Sequence, residues 1–229
     1  MNARYDENLT PLHVASQLGH IHVMRSFIDR GANLNAENGD METPLFLTSS
    51  NGNEEATQLL LRCGAEVDHR DWERRTPLHR ASENGHHLVT QLLLKFGANS
   101  NARNECDWTP LHLASRMGSS SVARVLLEWG ADVNALNELG WTSLHLASQK
   151  GHPDVVELLL ANHAMVDTQD KHGDTALHLA TYYGHLAVVE LLIDHGVNVY
   201  SQNEAWRTPL DLARREGHEV IARLLEDRG

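Results

Sequence analysis

Histidine is the residue type whose number and spacing in this sequence could support chemistry. The chain has 16 histidines, and ten of them occupy two positions that recur at intervals of 33 residues or a multiple of 33. The first histidine set is His13, His79, His112, His145 and His178. The second histidine set is His20, His86, His152, His185 and His218. Imidazole is a common zinc ligand, so this abundance first suggests a metal site.

The spacing of the histidines argues against such a site. A zinc ion needs three or four ligands that converge on one point, with further groups that orient them. Equivalent residues in neighbouring packed helices lie roughly 10 Å apart, which is too far for them to share an ion. Cys63 and Cys106 lie outside any C-x-x-C or Cys/His ligand spacing. We therefore expect no metal, no cofactor and no disulfide framework.

The sequence also lacks the common patterns that indicate an enzyme. The chain contains no nucleophile elbow, phosphate-binding loop, dinucleotide-binding glycine fingerprint or His-Glu-x-x-His motif. We expect no enzymatic activity and no catalytic residue in this chain. A catalytic domain elsewhere in a longer protein stays open.

Composition and charge narrow the function classes further. The 229 residues are 41% hydrophobic and 22% charged, as in an ordinary folded protein. A formal charge of −12 disfavours a nucleic-acid partner, because such binding relies on Lys and Arg displacing counterions. No apolar run approaches the roughly 20 residues that span a bilayer, and the N-terminus does not read as a secretory signal. These features predict an intracellular protein, cytoplasmic or nuclear, without membrane insertion.

The 33-residue interval extends from the histidines to the whole chain. A threonine opens Thr-Pro-Leu-His or a close variant seven times, at Thr10, Thr43, Thr76, Thr109, Thr142, Thr175 and Thr208. Threonine can cap a helix, and proline suits the first helical position. A glycine nine residues later predicts the end of this first helix, and a leucine-rich second helix follows and ends at another glycine. Asparagine or aspartate then leads into a hairpin-like turn.

A 33-residue period with this motif resembles the ankyrin repeat family, and the resemblance covers essentially the whole chain. It implies an all-α solenoid, elongated and curved, with two helices and a hairpin-like loop in each repeat. The chain 1–229 is then a single domain with repeats at about 5–37, 38–70, 71–103, 104–136, 137–169, 170–202 and 203–229. The resemblance also implies that the first histidine set forms hydrogen bonds within the turns.

Several residues depart from the repeat pattern. His163 replaces the second glycine of the fifth repeat, so it should be strained if its backbone is left-handed. The second repeat has Phe46 and Thr48 where other repeats carry histidine and alanine, and we predict that it is the weakest repeat. In the last repeat, Asp211 and Glu226 replace a histidine and an apolar residue, as expected of a solvent-facing end.

The resemblance implies that the chain binds another protein. Ankyrin repeats typically bind through the hairpin tips and the concave face of the first helices, so specificity should lie where these positions vary between repeats. Tryptophan, tyrosine and arginine are frequent hot spots of binding. The predicted binding set is Trp72, Arg75, Trp108, Arg116, Met117, Leu139, Trp141, Tyr182, Tyr183 and Arg207. For any single tryptophan, packing on the next hairpin is the alternative.

Two weaker hypotheses concern charge and modification. The tips of the first two repeats are acidic, with Asp6, Glu7, Asp40 and Glu42, which would suit a basic end of a partner or simply keep the chain soluble. The segment that ends at Asn134 matches a pattern of asparagine hydroxylation in ankyrin repeats. A role of this asparagine in stabilising the turn is the alternative.

Other interpretations of the whole chain stay open. It could be a regulatory module of a larger enzyme, channel or transcription regulator. It could also be an engineered or reconstructed array, which the uninterrupted spacing favours and irregularities such as Phe46, Thr48 and His163 oppose. We expect a monomer, and the sequence does not name the partner.

Overall fold

A computed structural model describes residues 8–228, and this part of the chain contains fourteen helices and no strand. The helices follow one another in pairs that match the predicted repeats. Their bounds are α1 Pro11–Gln17, α2 Ile21–Asp29, α3 Pro44–Ser50, α4 Glu54–Arg62, α5 Pro77–Glu83, α6 His87–Lys95, α7 Pro110–Arg116, α8 Ser120–Glu128, α9 Ser143–Lys150, α10 Pro153–Ala161, α11 Ala176–Tyr182, α12 Leu186–Asp194, α13 Pro209–Glu216 and α14 Glu219–Arg228.

The first helix of a pair begins where the threonine predicts it. The threonine hydroxyl accepts a hydrogen bond from the backbone N–H three residues later at Thr10, Thr43, Thr142, Thr175 and Thr208. Proline occupies the first helical position of α1, α3, α5 and α13, where its missing N–H leaves no bond unmade. The predicted start of these helices is confirmed.

In the first six pairs, both helices end next to a left-handed residue, and so does α13 of the seventh pair. The backbone angle φ lies between +67° and +77° at the glycines that follow the first helices, and between +77° and +92° at those that follow the second helices. His163 takes the second position in the fifth repeat with φ +65°, so the predicted strain is present. A Cβ built on the equivalent glycines meets nothing within 4 Å, at Gly31, Gly64, Gly97, Gly130 and Gly196. A side chain therefore fits there, and only the backbone is strained.

We expect His163→Gly to raise the free energy of unfolding by about 1 kcal/mol. Left-handed backbone costs a residue with a Cβ roughly 1–2 kcal/mol, and the greater freedom of glycine in the unfolded chain offsets part of this gain. The carbonyl of His163 accepts a hydrogen bond from Asn134 at 3.4 Å, and the substitution leaves this backbone contact in place. Urea unfolding followed by circular dichroism measures the change. His163→Ala is the control, because it keeps the Cβ; an equal gain in this variant would contradict the prediction.

An Asn or Asp side chain holds the loop between successive helix pairs. The N–H of Asn137 donates to the carbonyl of Trp141 at 3.0 Å, and Asn137 Oδ1 accepts from the N–H groups of Leu139 and Trp141, both at 2.9 Å. The same side-chain pattern recurs at Asn38, Asp71, Asn104, Asp170 and Asn203. The predicted hairpin-like loop is confirmed, and it forms without strands in the described residues.

The tip of each loop has one residue with a left-handed backbone conformation. The residue types at the tips did not predict which residue this would be. The angle φ lies between +58° and +76° at Met41, Arg74, Asp107, Gly140, Gly173 and Trp206. Glycine occupies this position in only two of these six turns. The side-chain hydrogen bonds of the preceding Asn or Asp therefore impose a conformation that most of these residues disfavour.

The helices form two compact units. The first ends at Pro110 and also includes Glu128–Ala131, and the second comprises Leu111–Leu127 and the chain from Asp132 onward. Within the first unit, α1, α3 and α5 pack in succession, as do α2, α4 and α6. Within the second, α9, α11 and α13 do the same beside α10, α12 and α14. Leucines that recur at equivalent positions of the repeats form the cores, including Leu12, Leu45, Leu78, Leu111, Leu144, Leu177, Leu60, Leu93, Leu126, Leu159 and Leu192.

The irregular second repeat keeps a filled core. Phe46 is fully buried at the histidine position, and the guanidinium of Arg80 lies 5.6 Å from the centre of its ring. The buried hydroxyl of Thr48 donates to the carbonyl of Leu45 and accepts from the hydroxyl of Thr57, both at 3.1 Å. The polar substitution is thus satisfied locally. That this repeat is the weakest stays a prediction.

The last repeat presents polar residues at its outer side. Asp211 is exposed and accepts from the N–H and the hydroxyl of Thr208 at 2.9 and 2.8 Å. The backbone hydrogen bond and then the hydroxyl lower the pKa of this carboxyl below its usual value. Glu226 is also exposed and pairs with Arg214 at 2.8 Å. Both side chains thus have polar partners within their own repeat, and their role as a solvent-facing end stays a prediction.

Candidate functional site

The first histidine set connects each turn to the next repeat. In His145, Nδ1 accepts the N–H of Thr142 at 3.1 Å and lies 2.8 Å from the hydroxyl of the same residue. Because Nδ1 accepts a backbone N–H, the proton of the neutral ring lies on Nε2, which donates to the carbonyl of Asp174 at 3.2 Å. The role within the turn is confirmed. The bond to the next repeat recurs at His13, His79, His112 and His178.

Burial favours the neutral ring at three of these positions. Desolvation lowers the pKa of His79 to about 4, against the opposing effect of its hydrogen bond to Trp108. The same cause lowers the pKa of His145 and of His178. In these rings, both nitrogens are engaged with the protein, so a metal could bind only after hydrogen bonds break.

Residues 8–228 contain no group of three or more His, Cys, Asp or Glu side chains that could hold a metal ion. Neither Cys63 nor Cys106 forms a disulfide in this part of the chain.

The second histidine set packs on the repeat that precedes it. Nε2 of His185 donates to the carbonyl of Gln149 at 2.9 Å. Equivalent bonds are made by His86, His152 and His218. The ring of His185 also lies against the glycine that ends the preceding first helix, since a Cβ on Gly151 would come 2.5 Å from Nδ1. These contacts hold the repeats together, so this histidine set does not mark a binding surface.

The second unit has a groove of about 330 Å³, and four members of the predicted binding set line it. These are Trp141, Tyr182, Tyr183 and Arg207. Asp174, Leu179, Leu212 and Arg215 are among the other residues that line it. The groove lies where the turns before the first helices meet α9, α11 and α13, which is the region in which variable residues were predicted to bind.

Two tyrosines at the end of α11 form one wall of the groove. The rings of Tyr182 and Tyr183 pack edge to face with their centres 5.0 Å apart, and they are 39% and 48% exposed. The guanidinium of Arg215 lies 5.6 Å from the centre of the Tyr182 ring. The ring of His185 lies nearly parallel to that of Tyr183 at 6.2 Å. Both rings are therefore held in place and still reach solvent, which suits an anchor for a partner.

Trp141 and Arg207, the other two members in the groove, differ in burial and in their contacts. Trp141 is half-buried, and its Nε1 donates to Oδ2 of Asp170 in the next turn at 2.7 Å. This is the packing on the next hairpin that was the alternative for a single tryptophan. The side chain of Arg207 is exposed and forms no hydrogen bond or ion pair with the described residues.

The remaining members of the predicted binding set lie outside this groove. Exposed fractions of 58%, 51% and 48% are found at Trp72, Met117 and Leu139. Trp108 and Arg116 are half-buried. Arg75 is half-buried as well, because it forms ion pairs with Asp71 at 2.8 Å and with Glu73. The guanidinium of Arg75 is thus already occupied within its own turn.

The acidic tips are only partly available. Asp40 is exposed, whereas Glu42 is half-buried and accepts a hydrogen bond from Nδ2 of Asn38 at 3.0 Å. Asp6 and Glu7 lie outside the described residues.

Asn134 is engaged between two repeats. Its Oδ1 accepts from the N–H of Met165 at 2.8 Å, and its Nδ2 donates to the carbonyl of His163 at 3.4 Å. Asn35, Asp68 and Asp167 accept equivalent hydrogen bonds from the next repeat. These contacts support the turn-stabilising role of Asn134; its hydroxylation stays a hypothesis.

Two highly exposed aromatic residues lie outside the predicted binding set. Trp206 is 79% exposed and Tyr200 is 63% exposed. Trp206 directly precedes Arg207, so its turn position was a usable signal. Tyr200 stands 33 residues after Asp167, where earlier repeats carry Asn or Asp, and only this departure from the pattern marks it.

A second depression, of about 390 Å³, lies on the first helix pair. Its lining is apolar and includes Val14, Leu18, Val23 and Phe27. His20 lies beside it, and the equivalents of His20 in later repeats bond to the preceding repeat. This surface therefore corresponds to one that packs between repeats, and it has no charged side chain that would select a partner.

Comparison with known proteins tests the repeat assignment independently. A family model described as ankyrin repeats (3 copies) matches residues 1–71, 45–137, 78–170 and 144–229. These matches overlap and together cover the chain. A search of curated proteins found no match. No helix of residues 8–228 combines the length and apolar character needed to cross a membrane.

Proposed function

The chain belongs to the ankyrin repeat family, and from this premise we propose that it binds a partner protein through the groove of its second unit. Ankyrin repeats are generally protein–protein interaction modules, and no catalytic domain is evident in this chain. The observation that carries the proposal is the meeting of Trp141, Tyr182, Tyr183 and Arg207 in one groove. These residues stand at positions that vary within an otherwise constant repeat.

The fixed geometry of the groove favours binding. Tyr182 and Tyr183 pack on each other, on Arg215 and on His185, so their rings lose little freedom when a partner arrives. Binding to a surface that is already ordered avoids part of the entropy loss of association. Large rings that are held and partly exposed are the usual anchors of an interface.

The proposal extends to the other exposed members of the predicted binding set. Trp72, Met117 and Leu139 would contact further parts of an extended partner. Arg75, Trp108 and Arg116 would contribute less, since they are half-buried. Asp40 would contact a basic group of the partner. We propose an intracellular, monomeric binding protein without a cofactor or an enzymatic activity.

We expect Tyr182→Ala to weaken partner binding at least tenfold, because it removes a hot-spot ring and uncovers Arg215. The intact chain and the variant are each immobilised, and proteins retained from a cell lysate are compared by quantitative mass spectrometry. A protein that only the intact chain retains is purified, and its Kd for both forms is measured by calorimetry.

Tyr200→Ala is the matched control for this experiment. Tyr200 is the same residue type, is more exposed at 63%, and does not line the groove. Its removal should leave the Kd within a factor of two. Equal losses in both variants, or no loss in either, would contradict a binding role of the groove.

A further inference from the structure

The groove offers a positive charge to a ligand, although the chain as a whole is negatively charged. The whole protein carries a formal charge of −12. Within the groove, the carboxylate of Asp174 accepts a hydrogen bond from Nδ2 of Asn203 at 2.7 Å. Arg215 pairs with Glu216 at 2.6 Å and covers Tyr182. These groups already have partners within the protein.

Arg207 is the charged group of the groove that is left for a ligand. Its side chain is exposed and makes no hydrogen bond or ion pair with the described residues. Its backbone is fixed, since its N–H donates to Asn203 at 3.1 Å and its carbonyl accepts from Nε2 of His178 at 3.1 Å. A guanidinium with an anchored backbone and free donors matches a carboxylate, which it can bind through two parallel hydrogen bonds.

Part of the groove lining is apolar, between polar side chains such as Asn203 and His178. Leu179 and Leu212 are 8% and 5% exposed and belong to the lining, and the ring of Tyr182 rises beside them. A volume of about 330 Å³ is small for a ligand site, and it suits side chains of an extended peptide. An aliphatic or aromatic side chain would lose water against these residues.

From this arrangement we infer that the groove recognises a linear segment of the partner in which an aspartate or glutamate stands close to an apolar residue. The carboxylate pairs with Arg207, and the apolar side chain packs on Tyr182 and Leu179. This inference rests on the proposed function and specifies the chemistry of the partner. The negative charge of the rest of the chain disfavours binding of the same acidic residue at other surfaces.

A random library of 12-residue peptides displayed on phage tests the inference with the intact chain as bait. We expect the enriched peptides to share an acidic residue within three positions of an apolar one. Synthetic copies should bind at least tenfold more weakly to Arg207→Glu. When Arg207→Glu is the bait, the library should instead enrich peptides with lysine or arginine at the acidic position.

Arg223→Glu is the matched control, because it makes the same change of charge at an exposed arginine outside the groove. Circular dichroism verifies that both variants fold, and Arg207→Ala repeats the test without adding a negative charge. Acid-free peptides, equal losses in Arg207→Glu and Arg223→Glu, or no enrichment at all would each overturn the inference. The comparison of Tyr182→Ala with Tyr200→Ala tests the proposed function separately, since it uses folded partner proteins and does not involve Arg207.

Discussion

Lowering the pH from 7 to 5 should reduce the free energy of unfolding by roughly 2 kcal/mol through His79 alone. This ring is buried, its pKa is lowered to about 4 in the folded chain, and the ordinary value is 6.5. Between these two values the unfolded chain binds a proton that the folded chain does not. The stability that His79 contributes is therefore present above pH 6.5 and is lost progressively as the pH falls toward 4.

Other groups add to this effect or oppose it. His145 and His178 also have a lowered pKa, so they destabilise the folded chain in the same direction as the pH falls. The pKa of Asp68 is raised, mainly by desolvation, so its protonation favours the folded chain on acidification. The net change on acidification is therefore the balance of these three histidines against Asp68.

Urea unfolding at pH 7, 6 and 5 measures the pH dependence, and two substitutions at the same repeat position assign it. His79→Gln lowers stability at pH 7, but we expect its loss between pH 7 and pH 5 to be smaller than that of the unmodified chain by roughly 2 kcal/mol. Phe46→Leu is the control, because Phe46 fills the equivalent site without an ionisable group. A pH dependence that is the same in all three proteins would contradict the assignment to His79.

Most of the fold could be predicted from the sequence because its signals are local. Thr175 caps α11 and Gly184 follows its end with φ +76°, and neither role depends on distant residues. The same holds for His163, where a break in the glycine pattern correctly predicted a strained backbone. Repetition strengthens such signals, because each position is sampled once in every repeat.

The left-handed conformation at the loop tips could not be predicted from local sequence signals. Arg74 and Trp206 have φ +59° and +58°, although neither residue favours this conformation. The hydrogen bonds of Asp71 and Asn203 to the surrounding N–H groups impose it. The sequence predicted a turn at this point, but it could not show which residue would carry the strain.

The candidate groove could be predicted only in part, because it depends on contacts between repeats. Variation between repeats pointed to Trp141, Tyr182, Tyr183 and Arg207, but only as four of the ten residues in the predicted binding set. Their meeting in one groove depends on ring orientations, such as the bond of Trp141 to Asp170 in the next turn. Side-chain directions of this kind are set by packing, which residue type and spacing do not encode.

Packing between repeats also determines how rigid the groove is. We expect Gly151→Ala, which disturbs this packing, to lower the free energy of unfolding by about 3 kcal/mol. Gly151 has φ +71°, so any Cβ strains the backbone by roughly 1–2 kcal/mol. The same Cβ would lie 2.5 Å from Nδ1 of His185 and push the ring away from the carbonyl of Gln149. Gly196→Ala is the control for strain alone, because its φ is +79° and its Cβ would meet nothing within 4 Å.

The difference between these two alanine variants isolates the contact with His185. Urea unfolding should give Gly196→Ala only the cost of strain, and His185→Ala combined with Gly151→Ala should cost less than the sum of the single changes. Because the ring of His185 stacks on Tyr183, Gly151→Ala should also weaken binding in the groove without altering any residue that lines it. Equal costs for Gly151→Ala and Gly196→Ala would mean that the histidine ring moves aside freely. Tyr183 would then be held only by the ring of Tyr182 and by the hydrogen bond that its hydroxyl accepts from Nε2 of Gln149 at 3.5 Å, and the groove would be less rigid than its contacts imply.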